Sequence, residues 1–335
     1  MSLELNVYAQ RELDLFMTQL HGRVELIVQA FLQPRPDRLY WMGTERRSGR
    51  PLVQAAPTAA GRELQARAFA DKDTVVFTSA TLAVADSFEY FKRGVGLEAR
   101  STHEMVLASP FDYLSQALLC LPTDLRDLGD AAFLDQVASV VGEIAEAIDG
   151  RTMVLFTSHQ QLRDVADRLR VRTARSSLTI LAQNVEGTRR QLLAQFQDHP
   201  RSILLGTSSF WEGIDVPGDA LSCVVIVRLP FRVPSDPLQL ARSAMLADPF
   251  GQLALPEAVL RLKQGFGRLI RRQSDRGAVV LMDHRIANRT YGAAFLDALP
   301  RAAVQVGECD DMAPAIAQWL ARGRGIRLPS PVEAS

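Results

Sequence analysis

The chain has 335 residues, with 47% hydrophobic and 23% charged side chains and a formal net charge of zero. That is the composition of an ordinary globular protein large enough for one large or two modest domains. It argues against a coat of bulk positive charge on nucleic acid, and no apolar run is long enough to span a bilayer, so the chain reads as cytoplasmic.

Cys120, Cys223 and Cys309 are far apart, with no CxxC and no Cys/His cluster. A zinc site or disulfide framework is not expected, and no metal ligands are assigned. The basic residues are almost all arginine; the only lysines are Lys72, Lys92 and Lys263.

Residues 3–31 predict one long helix, with Leu13, Phe16, Leu20, Val24, Ile27 and Phe31 at helical spacing as a packing face. Pro34 and Pro36 end it. Residues 39–42 and 51–55 predict two strands joined by a turn at Ser48 and Gly49, and residues 61–69 a helix. An apolar, β-branched strand is expected at 74–77. From about residue 130, apolar strands alternate with amphipathic helices. Strands are expected at 152–156, 178–181, 202–205, 222–227 and 278–282, and helices at 131–148, 157–169, 189–196 and 254–272. This alternation predicts an α/β fold, a parallel sheet with helices on both faces, with ligands at the carboxyl ends of the strands. The tail beyond 323 is expected to fray.

Three loops are candidates for chemistry. Residues 206–215 (GTSSFWEGID) follow a strand, and their small hydroxyl residues could offer donors to phosphate. Glu212 and Asp215 come directly after. The competing reading is a turn that uses its glycines for conformation. Residues 264–272 (QGFGRLIRR) place Gln264, Arg268 and Arg271 on one stripe if helical. Two guanidinium groups so arranged suit a polyphosphate. Gly265 and Gly267 each weaken a helix by roughly 1 kcal/mol, which makes sense where another backbone or a ligand comes close. The third is residues 156–161 (FTSHQQ), where Ser158 and Gln161 could form a capping box and the helix N-terminus could hold a nucleic-acid phosphate.

Together these residues resemble a family. TSATL at 78–82, VLFTSHQQL at 154–162, GTSSFWEGIDVPG at 206–218 and QGFGRLIRR at 264–272 are similar to motifs III, IV, V and VI of DinG/XPD-like superfamily 2 DNA helicases. SPFDY at 109–113, RLPF at 228–231 and YGAAFLDALP at 291–300 resemble bacterial DinG-type chains. The resemblance implies ATP held with Mg²⁺ between two RecA-like domains, and 5′ to 3′ unwinding on single-stranded or forked DNA. It implies a helical arm at 1–36, the end of a first RecA-like domain at 37–100 and a second RecA-like domain at 101–325, with a flexible tail at 326–335.

By that resemblance Arg268 and Arg271 reach the γ-phosphate, an effect of about 10³ to 10⁵ in rate for arginine fingers, with Gln264 positioning the phosphate end. Glu212, Gly213, Asp215 and Gly267 serve the nucleotide and its coupling to the track. Ser158, Thr207 and Ser208 touch the DNA backbone, and Ser79 and Thr81 link hydrolysis to domain movement.

A phosphate loop ends in Gly-Lys-Ser/Thr, and none of the three lysines stands in that setting. No DEAH-like box and no four-cysteine iron–sulfur signature is present. The expectation is a half-motor: its partner is a first RecA-like domain with both Walker motifs, in a longer chain or a separate one, and this chain alone is inactive. A non-catalytic nucleic-acid-binding or regulatory module derived from a helicase is the alternative. An unrelated α/β nucleotide-binding or transferase domain ranks last, without a GxGxxG turn after a strand.

Overall fold

The computed structural model describes residues 2–45, 48–98, 102–211, 220–232 and 236–323. They form two compact units, one of residues 1–78, 88–104 and 232–253, the other of 79–87, 105–231 and 254–335.

The first unit opens with α1 (Ser2–Phe31). Its expected packing stripe is exposed: Leu13, Phe16, Leu20, Val24, Ile27 and Phe31 are all between 43% and 59% accessible. β1 (Arg38–Thr44) and β2 (Pro51–Pro57) pair antiparallel, Trp41 opposite Gln54. Gly49 adopts φ +69 in the turn between them, where a glycine costs nothing. α2 (Ala60–Leu64) runs into a π-helical turn, Gln65–Phe69, and α3 (Glu89–Val95) follows.

The strand expected at 74–77 is absent. Among the described residues no neighbour completes a ladder with residues 74–77, and Val76 is 80% exposed. β-Branched side chains favour extension, yet a strand exists only where a second one accepts its hydrogen bonds.

In the second unit the elements run α4 (Tyr113–Gln116), β3 (Ala117–Pro122), α5 (Phe133–Ala147), β4 (Thr152–Leu155), α6 (His159–Arg172), β5 (Thr179–Ala182), α7 (Arg189–Asp198), β6 (Ser202–Gly206), α8 (Ser208–Trp211) and β7 (Cys223–Ile226). The stretch 232–253, with α9 (Pro237–Ala244), counts with the first unit. After it come α10 (Leu255–Phe266), β8 (Gly277–Leu281), α11 (Arg285–Asn288), α12 (Gly292–Ala298), β9 (Ala303–Gly307) and α13 (Cys309–Gly323).

The seven strands lie in the order β5-β6-β4-β7-β8-β3-β9, and every pair is parallel. β3 and β9 extend the expected sheet, so the strand at 277–281 is not the last. The period-2 pleat sorts the strand side chains into two cores. Val154, Cys223, Val225, Ala278 and Val280 face the side covered by α5, α6 and α13. Met153, Leu155, Val224, Ile226, Val279 and Leu281 face the side of α7, α10 and α12. Phe133, Phe156, Phe196, Phe210, Phe266 and Phe295 are each at most 1% exposed, and each such burial contributes roughly 1.5–3 kcal/mol.

The chain builds β4, then β5 and β6 on one side of it, with β6 inserted between β5 and β4, then crosses to β7 on the other. That reversal is a topological switch point, where doubly wound sheets open a crevice at the carboxyl ends of their strands.

Candidate functional site

At the end of β4 the chain turns into α6. Ser158 is extended (φ −134, ψ 130), and its hydroxyl oxygen accepts from the Gln161 N–H at 3.5 Å. The expected capping box is half made. With its amide oxygen toward Arg228, Gln161 accepts from that guanidinium at 2.8 and 3.2 Å. The full reciprocal box occurs instead at Thr188 and Gln191 on α7. Arg228, after β7, also donates to the Leu128 carbonyl and lies 5.8 Å from the Phe133 ring centroid. Burial lowers its pKa from the usual arginine value, an effect opposed by Asp283.

The end of β6 is gripped from the neighbouring strand. Gln183, just past β5, accepts from the Thr207 N–H at 2.8 Å and hydroxyl at 3.0 Å, and donates to Ser209 Oγ at 3.0 Å. Thr207 Oγ1 also lies 3.3 Å from His159 Nε2. Thr207 is 4% exposed, so its two donors are spent inside the fold rather than offered outward. Ser208 begins α8. Glu212, Gly213 and Asp215 lie outside the described residues.

Trp211 closes this segment. It is 3% exposed, and its indole N–H donates to the Phe156 carbonyl at 3.4 Å. A Cβ at Gly265 would sit 2.9 Å from Trp211 Cζ3. The close approach that a glycine in this helix implied is therefore made by an aromatic ring, not by a ligand.

The arginine segment departs from its expected form. α10 ends at Phe266, Gly267 caps it by donating to the Lys263 carbonyl at 2.9 Å, and the chain turns. Arg268 and Arg271 thus share a turn, not a helical stripe. The reason is tertiary: Leu269 and Ile270 are pulled into the core at 3% and 2% exposure, which a continuing helix could not do for two consecutive residues and keep both arginines on one face.

Two residues missed by sequence reasoning fix this turn. The Asp275 carboxylate accepts from the Arg271 and Arg272 N–H groups, both at 2.9 Å. Gln116, at the end of α4 and 7% exposed, directs its amide N–H₂ at the carbonyls of Arg272, Gln273 and Asp275, at 3.0, 3.1 and 2.9 Å. Gln264, on the last turn of α10, donates to Thr81 Oγ1 at 3.5 Å, and Ser79 and Thr81 hydroxyls lie 3.3 Å apart. The sequence motif around 78–82 and the arginine motif therefore meet at Gln264 and Thr81.

A further missed residue is Asp283, 1% exposed after β8. It accepts from the Leu229 N–H at 2.7 Å and from Arg285 Nη2 and Nε at 2.6 and 2.9 Å. The hydrogen bond to Asp283 raises the Arg285 pKa, against the lowering effect of burial. The pair ties the loops after β7 and β8 together.

Among the described residues no three His, Cys, Asp or Glu side chains gather to hold a metal ion. The three cysteines are buried free thiols. Among the described residues no helix is long and apolar enough to cross a membrane.

The segments singled out in the sequence stand at the strand ends of a parallel α/β sheet. Residues 141–302 match the helicase C-terminal domain family. The sheet resembles the RecA-like fold of the Xpd4 structure from S. tokodaii, with a TM-score of 0.52 at 16% identity over 76% of this chain and 49% of that one.

More particularly, the chain resembles the C-terminal portion of DinG-like helicases. It is 45% identical to the ATP-dependent DNA helicase YoaA of Escherichia coli over 68% of this chain and 35% of that protein. It is 35% identical to the 3'-5' exonuclease DinG of Bacillus subtilis over 89% of this chain and 33% of that protein. With the ATP-dependent DNA helicase DinG of Photobacterium profundum it shares 35% identity over 88% of this chain and 44% of that protein. The chain thus spans less than half the length of these relatives.

Proposed function

We propose that this chain is the C-terminal half of an ATP-dependent DNA helicase motor of the DinG type. It supplies Arg268 and Arg271 to the terminal phosphate of an ATP whose cradle and Mg²⁺ site belong to a first RecA-like domain. Gln264 positions the phosphate end and, through Thr81 and Ser79, passes its state to the segment at 78–82. Ser158 and Ser208 meet the DNA backbone with the N-terminus of α6, and Thr207 braces them. Glu212, Gly213, Asp215 and Gly267 couple nucleotide to track. The working site is cytoplasmic DNA, single-stranded or forked.

The observation that carries this reading is the arginine turn held by Gln116 and Asp275 beside Gln264. A guanidinium that stabilises a transferring phosphoryl group acts by being in place before the charge develops, and pre-positioning is worth more than flexible attraction. Half a site gives little turnover, because the nucleotide cradle and its metal supply most of the binding and charge neutralisation.

The test is ATP hydrolysis by the purified chain, with and without single-stranded DNA, alone and with the first RecA-like domain added in trans. Turnover only in the mixture, lost on Arg271→Ala, is the expected result. DNA-stimulated turnover by the chain alone would sink the half-motor account.

A further inference from the structure

The geometry points to Gln183 as the positioning residue of the DNA interface, a role that rests on the proposed reading of the loops after β4 and β6. Its main chain is fixed first. The Gln183 N–H donates to the Leu205 carbonyl at 3.0 Å, continuing the β5–β6 ladder one residue past β5. From that anchored Cα the side chain crosses to the adjacent loop.

One amide there satisfies three polar atoms within three residues: Thr207 N, Thr207 Oγ1 and Ser209 Oγ, at 2.8, 3.0 and 3.0 Å. Because the Thr207 hydroxyl hydrogen is directed at Gln183, the hydroxyl oxygen faces His159 Nε2 at 3.3 Å as an acceptor. His159 is the first residue of α6, next to the N-cap Ser158. The chain of contacts Gln183–Thr207–His159 therefore spans the carboxyl ends of β5, β6 and β4, which are neighbours in the sheet.

The two loops that would take consecutive phosphates are held in register by a residue that touches neither phosphate. A buried hydroxyl and N–H deprived of their acceptor must find another or pull the loop out of place. Loss of Gln183 therefore acts on the loop, not on charge.

The experiment is single-stranded DNA binding by this chain, followed by the fluorescence anisotropy of a fluorescein-labelled oligodeoxythymidylate over a series of salt concentrations. Gln183→Ala is expected to weaken binding about tenfold, as expected for one or two lost hydrogen bonds, with an unchanged slope of log affinity against log salt, since no phosphate contact is removed. Gln183→Glu keeps an acceptor for Thr207 and can accept from the Ser209 hydroxyl, so it restores the loop. Its added charge weakens binding at low salt and is screened as salt rises, bringing it back toward the unsubstituted chain.

Binding by Gln183→Ala equal to the unsubstituted chain would overturn the inference. So would a fall in salt slope of about one, which marks a direct phosphate contact, or a Gln183→Glu chain as weak as Gln183→Ala at every salt concentration. No binding by the unsubstituted chain would instead overturn the DNA-interface reading, and this inference with it.

Discussion

Trp211 packs directly on Gly265. A methyl at that position would lie 2.9 Å from Cζ3 and 3.0 Å from Cε3 of the indole, and 3.5 Å from Leu155 Cδ1. The contact joins the last residue of α8 to the helix that leads into the arginine turn, and the indole N–H anchors both to the Phe156 carbonyl after β4.

Gly265→Ala sets two effects against each other. Alanine favours the helix by roughly 1 kcal/mol, but a Cβ inside the van der Waals distance of a fully packed ring costs about 1–3 kcal/mol. The overlap wins, because Trp211 is 3% exposed and bounded by core on its other side. Urea unfolding is expected to show a lower midpoint for Gly265→Ala. Gly267→Ala, at an exposed cap with right-handed φ of −65 and its nearest neighbour at 3.3 Å, is expected to cost less. An equal or larger loss at 267 would contradict this account of the helix.

Gln116→Ala removes the donor shared by three carbonyls of the arginine turn. Of these only the Asp275 contact is fully buried, and leaving a buried acceptor unmet costs about 1–3 kcal/mol. The local signature is sharper than the global one. Amide hydrogen exchange at Arg271 and Arg272, whose N–H groups are capped by Asp275, is expected to speed up well before the sheet amides of β7 and β8 do. Exchange that rises equally in sheet and turn would mean that Gln116 stabilises the fold without specifically holding the turn.

Much of the second unit was legible in the sequence because β4 to β8 are apolar throughout and separated by amphipathic helices, a pattern set by burial on both faces. β9 was not, since Ala303, Gln305 and Gly307 give weak strand signals and Val304 and Val306 are 57% and 59% exposed. The segment at 74–77 was misread for the opposite reason: strong local propensity without a ladder partner among the described residues. The site divides the same way. Ser158, Gln264 and Arg271 were singled out by spacing and resemblance, but helical spacing could not show that Gly267 ends α10. Gln116, Gln183 and Asp283 carry no local pattern at all. Their side-chain partners stand from 2 to 159 residues away, and only the topology brings the distant ones together.

Cys120 offers a test of burial in the sheet. Desolvation pushes its thiol up from the ordinary 9.0 to about 12. The folded state therefore keeps a proton that the unfolded state gives up between those values. Stability from this thiol is intact below pH of about 9 and is lost as pH rises toward about 12. At neutral pH the thiol is expected not to react with a disulfide reagent until urea unfolds the chain. Fast reaction of Cys120 in the native protein would contradict its placement in β3.

The Asp283–Arg285 pair is a costly polar feature to disturb. Asp283 is 1% exposed at its side chain and Arg285 25%, so removing either partner strands a desolvated charge. Asp283→Ala also strips the Leu229 N–H of its acceptor and is expected to cost about 3–5 kcal/mol. Asp283→Asn keeps an oxygen for that N–H and should cost less. Arg285→Leu leaves the carboxylate with the Leu229 and Arg285 main-chain N–H groups, an intermediate case. If the pair acts as a unit, the double variant Asp283→Asn with Arg285→Leu is less damaging than the sum of its parts, because no buried charge remains. Strictly additive losses in a double-mutant cycle would show that the two side chains stabilise the loops independently.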